Sequence, residues 1–324
     1  MKQNLKFFVG LAAIVAGLTA CNNQALDPVV SNPDQIAFRI GGPAFEAAAG
    51  TKAFDAITVS NLESAGFDVL ALTATGTGNW DAAAHFVKVG EGATAKYVSS
   101  KYWPAADPGY RFYAVYPSET AMTPVADDGG ATITANASSD VLAAKLVPEA
   151  PATLYKQVST LAFEHIFACL STVEVKALDG YTISDFTISI TPVTSATYNI
   201  KTGWGDAATA ERNFTPASES NVAIYTLGTT GSAFPETADE HGEKTSSSNP
   251  GMLLVPGTYQ LSATWTATHG GVTRTYEDKR VAVVLQPGKL NIVKARLGAQ
   301  IMFEVSVTAW EANTIDGGLT FPVS

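Results

Sequence analysis

Tyr259-Gln260-Leu261-Ser262-Ala263-Thr264-Trp265 alternates in-facing and polar side chains at every second position. Val272-Thr273-Arg274-Thr275-Tyr276 resumes the period after His269-Gly270-Gly271. A period of two sends one face of an extended strand to a core and the other to water, and the Gly-Gly pair marks a hairpin between them. The same reading extends through the second half at 161–175, 183–191, 196–200, 222–227, 252–255, 259–266, 272–285 and 300–310. In the first half it gives strands at 36–40, 67–73, 85–89, 110–116 and 131–135, with a weakly marked one at 153–157. Asp107-Pro108-Gly109 and Asp127-Asp128-Gly129-Gly130 punctuate them as turns, and 212–220 and 229–249 read as polar loops. No segment carries a convincing helical period. Short strands at regular spacing predict an all-β chain of Greek-key β-sandwiches.

The length of 324 residues exceeds one ordinary core, so two sandwich domains are expected, at 35–158 and 159–324. With 46% hydrophobic and 15% charged residues, the chain is too apolar for wholesale disorder. Its net charge of −10 gives no electrostatic basis for binding nucleic acid, whose affinity comes from Lys and Arg on phosphates.

Residues 1–20 read as an export signal. Lys2 and Lys6 form the positive end, and 7–18 is apolar but too short to span a bilayer. The stretch ends in Leu18-Thr19-Ala20-Cys21, which resembles a bacterial lipobox, with Cys21 as the acylated first residue of the mature chain. The alternative is an ordinary signal followed by an incidental cysteine. Several acyl chains on Cys21 would anchor firmly, at roughly 0.8 kcal/mol per buried methylene. Losing Lys2 and Lys6 would take the net charge from −10 to −12. Residues 21–34, polar and containing Pro28 and Pro33, read as a tether. Cys169 would then be the sole thiol, in an apolar context that predicts a buried, inert side chain.

Catalytic signatures are wanting. His85, His165, His241 and His269 lie at no metal-ligand spacing, and His165 falls on an apolar strand where a hydrogen-bonded structural histidine is expected. There is no nucleophile elbow, phosphate loop or dinucleotide fingerprint. Asp239, Glu240 and Glu243 read as a solvated face. Trp80, Trp103, Trp204, Trp265 and Trp310 adjoin strand patterns and are expected in cores rather than on exposed sugar platforms. The reading is a non-enzyme without metal or cofactor.

Several segments together are more specific than any alone. Lys101-Tyr102-Trp103-Pro104, then Tyr110-Arg111-Phe112-Tyr113-Ala114-Val115-Tyr116-Pro117, resembles a signature of the fimbrillin-like proteins, the lipoprotein-derived type V pilins of Bacteroides-type bacteria. Leu161-Ala162-Phe163-Glu164-His165-Ile166-Phe167-Ala168 is similar to a strand of that family, as are 198–204, 281–294 and 301–310, the last closing on Val307-Thr308-Ala309-Trp310. Gly50-Thr51-Lys52-Ala53-Phe54, followed by Phe67-Asp68-Val69-Leu70-Ala71-Leu72, resembles its opening.

The resemblance implies two tandem transthyretin-like β-sandwiches, export to the outer membrane as a lipoprotein, and a place in adhesive surface fimbriae. It also implies assembly: a surface protease cuts after a basic residue, the N-terminal strand leaves, and the C-terminal segment of another copy or a related subunit fills the groove. Lys52, before Ala53, stands where the family usually has Arg, so processing there is expected only of a protease that accepts lysine. A host protein or glycan would be the receptor.

The residues fit this independently. Ile36, Phe38 and Ile40 alternate near one end, and Leu319, Phe321 and Val323 alternate near the other, after Asp316-Gly317-Gly318. Either ladder can add to a sheet edge through main-chain hydrogen bonds and fill pockets with alternate side chains, for on the order of 5–9 kcal/mol before ordering costs. Either end could equally form an edge strand of its own sheet. The alternatives are an uncleaved anchor or tip subunit, and a surface glycan-binding lipoprotein.

Overall fold

The structure, a computed structural model, describes residues 34–41, 57, 59–76, 78–126, 129–148, 154–216, 218–227 and 244–309. The first half contains β1 (Gln35–Gly41), helix α1 (Val59–Ala65), β2 (Phe67–Leu72), β3 (Ala84–Val89), β4 (Lys96–Tyr102) and β5 (Arg111–Tyr116). It continues with β6 (Thr123–Val125), β7 (Gly130–Asn136), β8 (Leu142–Leu146), β9 (Ser159–Ala162) and β10 (Glu164–His165). Then come β11 (Ala168–Ala177), β12 (Thr182–Ile190), β13 (Ser195–Asn199), β14 (Glu211–Arg212), β15 (Val222–Leu227) and β16 (Lys244–Ser248). The chain closes with β17 (Met252–Leu254), β18 (Gly257–His269), β19 (Val272–Leu285), β20 (Lys289–Leu297) and β21 (Ile301–Ala309).

The hairpin that alternation predicts is β18–β19, joined through Gly270 and Gly271 at φ 56° and 77°, a region other residues enter at a cost. Its inward positions Tyr259, Leu261, Ala263, Trp265 and Ala267 are buried. Its outward positions form hydroxyl rows across three strands: Thr182–Thr268–Thr273 and Ser184–Thr266–Thr275. Trp265 donates from Nε1 to the Gly298 carbonyl at 3.1 Å and stacks on Tyr276, ring centroids 4.7 Å apart.

Among the described residues four sheets enclose two cores. The strand order β10-β8-β5-β2-β3-β4-β1-β9 forms an eight-stranded sheet, and β13-β7-β6 a smaller one. Phe67, Phe86, Phe112 and Tyr113 of the first, with Ile133 and Ala135 of β7, fill the first core. The second core lies between β16-β11-β20-β21 (with β17 on β11) and β14-β18-β12-β15 (with β19 on β18), around Phe186, Ile188, Leu261, Trp265 and Val293. The cores share a wall. In β11, Ala168 and Leu170 face the second core while Cys169 belongs to the first, and in β17 Leu253 and Leu254 divide likewise. Strands β9 and β10, which follow residue 158, pair into the first sheet on β1 and β8. The all-β sandwich architecture read from the alternation is the one observed.

The details differ where local signals were weak. The stretch 161–175 is three strands rather than one, because Phe163 and the 166–167 corner redirect the chain between sheets. The weak strand at 153–157 is a turn over 154–156, with Lys156 at φ 56°. Within the loop read at 229–249 lies β16, Lys-Thr-Ser-Ser-Ser, held by pairing with β11 rather than by its own composition. Helix α1 is seven residues long, too short to display a period, and among its described side chains Leu62 is the buried one. Trp80, Trp103, Trp204 and Trp265 are buried, as the core reading expects of them, and Trp310 lies outside the described residues.

Candidate functional site: the slot filled by the first strand

Strand β1 lies between two others. It runs antiparallel to β4, with Gln35 opposite Tyr102, Ala37 opposite Val98 and Phe38 opposite Tyr97. On its other side it runs parallel to β9, from Phe38 opposite Ser159 to Gly41 opposite Ala162. In the strand order β9 joins the sheet through β1. An internal strand must satisfy donors and acceptors on both sides, so β1 occupies a slot rather than an edge.

The apolar ladder sits as its period dictates. Ile36 is fully buried and Phe38 is 1% exposed, while Ile40 is half-buried against the same core. Phe38 meets Phe112 edge-on at 4.9 Å and Phe86 at 5.1 Å between ring centroids. Burying two such side chains contributes about 1.5–3 kcal/mol each. Burial exceeds the alternation in one place: Ala37, on the opposite face, is also covered. Arg39 is exposed, but its backbone lies within the β9 ladder.

Both ends of the slot are fixed. The Trp103 N–H donates to Asp34 O at 2.7 Å, the Phe163 N–H to Gly41 O at 2.9 Å, and Gln35 Nε2 to Ser99 O at 2.8 Å. Gly41 abuts β9 so closely that an added Cβ would lie 2.7 Å from Thr160 Cγ2. Lys156 Nζ sits 2.6 Å from Asp34 Oδ1, and that hydrogen bond raises the lysine's pKa; both side chains are largely in water, so the pair adds little. The arrangement offers main-chain groups on two sides and apolar pockets between them, which is recognition of an extended strand.

Of the other residues singled out in the sequence, Cys21, Lys52, Ala53, Leu319, Phe321 and Val323 lie outside the described residues. The sequence did not mark β4, whose Tyr97 and Val98 line one side of the slot; its signal was the β-forming pair Tyr97-Val98 beside the Tyr102-Trp103-Pro104 motif. Elsewhere, His165 Nδ1 approaches Asp140 Oδ2 at 2.7 Å and His85 Nδ1 approaches Asp68 Oδ1 at 2.8 Å. Cys169 is buried, and burial, reinforced by the charge of Asp140, pushes its thiol far above the ordinary range. Among the described residues no three His, Cys, Asp or Glu side chains are grouped to hold a metal ion, and no helix is long and apolar enough to cross a membrane.

No curated protein matches the chain. Among solved structures, a "putative cell adhesion protein" of Bacteroides ovatus ATCC 8483 is 14% identical, covering 86% of this chain and 98% of its own, with a TM-score of 0.38. A fimbrial assembly protein of Parabacteroides distasonis ATCC 8503 is 13% identical over 85% of this chain and 98% of its own, at a TM-score of 0.35. A "putative cell adhesion protein" of the same organism is 10% identical over 85% and 96%, at 0.41. The sequence model described as fimbrillin-like matches residues 51–310, from just after β1 to the end of β21. That match covers most of the chain, and with it the protein belongs to the fimbrillin-like family.

Proposed function

We propose that this protein is a structural subunit of an adhesive cell-surface fimbria, exported as a lipoprotein acylated at Cys21 and assembled by exchange of its first strand. Cutting between Lys52 and Ala53 releases β1, and the C-terminal segment of another copy, or of a related subunit, enters the slot with Leu319, Phe321 and Val323 in place of Ile36, Phe38 and Ile40. The observation that carries this reading is the two-sided pairing of β1 with β4 and β9: its loss would expose main-chain groups on both neighbours and the pocket of Phe38 together. The family match supports it by beginning at residue 51, beyond β1.

A second reading, an anchor or tip subunit that keeps its lipid and β1, is favoured by one observation, the lysine at 52 where the family usually has arginine. Mass spectrometry of the N-terminus in assembled fibres separates the two: Ala53 as first residue supports exchange, and acylated Cys21 supports the anchor. Deletion of 316–324 tests the donor. A folded monomer that does not extend fibres is expected, and fibres of normal length from that deletion would overturn the proposal.

A further inference from the structure

The three-stranded sheet β13-β7-β6 borders a cleft of about 480 Å³, within the range of small-molecule sites. Thr134 on β7 and Thr197 directly opposite on β13 stand on one wall, next to Asn136. Ser138 N–H donates to Asn136 Oδ1 at 2.9 Å, which fixes the amide and commits its Nδ2 to donating. Glu119 comes from the segment after Pro117 and is the one ionisable side chain among the described lining residues. Ile133 and Val141, 2% and 4% exposed, belong to the first core behind the cleft, so its apolar surface is limited to Ala121 and the threonine methyls.

This chemistry is selective by what it includes. Hydroxyls both donate and accept, the Asn136 amide donates, and the Glu119 carboxylate accepts from two neighbouring hydroxyls at once. No Lys, Arg or His lines the cleft among the described residues, and the chain carries −10 overall, so an anionic ligand would meet repulsion without compensation. A purely apolar ligand would strip water from the hydroxyl lining without replacing its hydrogen bonds. A neutral ligand dense in hydroxyls matches this lining.

We propose that this cleft binds a neutral sugar residue of a glycan, with Glu119, Asn136 and the threonine hydroxyls holding its hydroxyl groups. The inference stands apart from strand exchange, since the cleft is formed by β6, β7 and β13 and the flanking turns rather than by the β1 slot. Saturation-transfer NMR on the full chain with D-galactose, D-mannose, L-fucose and N-acetyl-D-glucosamine tests it, with N-acetylneuraminic acid as the anionic comparison. Millimolar binding of at least one neutral sugar and none of the anionic one is expected. Glu119→Gln and Asn136→Ala should each weaken that binding about tenfold or more, as loss of a hydrogen bond to a charged or oriented partner does. Glu119 is exposed, so thermal unfolding of Glu119→Gln should match the parent, and Thr273→Ala on the other hydroxyl face should bind normally. Silence from every neutral sugar at high-millimolar concentration, equal binding of the anionic sugar, or undiminished binding by both variants would each overturn the proposal.

Discussion

His165 Nδ1 lies 2.7 Å from Asp140 Oδ2, with 5% and 0% of the two side chains exposed, at the seam where β10 meets β8. The Ile57 N–H also points to that carboxylate oxygen at 3.3 Å, and the Ile166 N–H donates to the Val141 carbonyl at 3.1 Å beside it. The pair thus ties the segment preceding α1 and the start of β8 to the strand that leads into the second half. It is a buried polar device with structural work to do, and the buried Cys169 near it has a thiol held in its protonated, inert form.

Breaking this pair from one side should therefore hurt more than removing it. Asp140→Ala is expected to lower stability by about 1–3 kcal/mol, because it takes the hydrogen-bonding carboxylate away from the buried His165. The double change Asp140→Val with His165→Leu should recover part of that loss. Urea unfolding of the two singles and the double, analysed as a cycle, checks the sign of the coupling.

Phe38 anchors β1 among Phe86 and Phe112. Phe38→Ala in the unprocessed chain should cost about 3–5 kcal/mol, the range for emptying a large aromatic site. The same variant should release β1 more readily to added protease, followed by the rate at which the N-terminal fragment appears.

Gly41 and Thr160 form a steric pair across β1 and β9. Gly41→Ala would bring a Cβ within 2.7 Å of Thr160 Cγ2 and should destabilise by about 1–3 kcal/mol through overpacking. Thr160→Ser deletes that methyl, so adding it to Gly41→Ala should restore most of the loss. Equal stability of the single and double variants in thermal melts would contradict the contact.

Alkaline titration reads the tyrosines. Burial, with the charge of Glu164 adding to it, pushes Tyr198 up to about 12; burial pushes Tyr259 up to about 12 as well, against the opposing pull of Arg212. Each phenol is thus more strongly protonated in the folded chain than in the unfolded one, where it titrates near 10. Their contribution to stability is complete below pH 10 and is lost as pH rises through 12. Tyrosinate absorbance in the folded protein should lag that of a denatured sample, and the lag should vanish together with the circular-dichroism signal.

The predicted and observed elements differ in an instructive way. Tyr259 to Trp265 announced a strand because each in-facing side chain meets a core and each out-facing one meets water, and period two records that contrast. Lys289–Leu297 carries no such alternation, since Ile292, Val293, Lys294 and Ala295 are all buried and both faces of β20 are covered. Lys244–Ser248 is a strand only because β11 supplies its partners.

The same division runs through the site. The sequence on its own established the all-β class, the Ile36–Phe38–Ile40 ladder and the core placement of Trp80, Trp103, Trp204 and Trp265, since these follow from side-chain chemistry at fixed spacing along one segment. Only the tertiary structure decided that β1 is held on both sides, by β4 and by a parallel partner some 120 residues downstream, Phe38 meeting Ser159. Parallel pairing needs a long crossover and leaves no local turn to mark it, and the cleft between β6, β7 and β13 likewise exists only once Thr134 and Thr197 are brought into register.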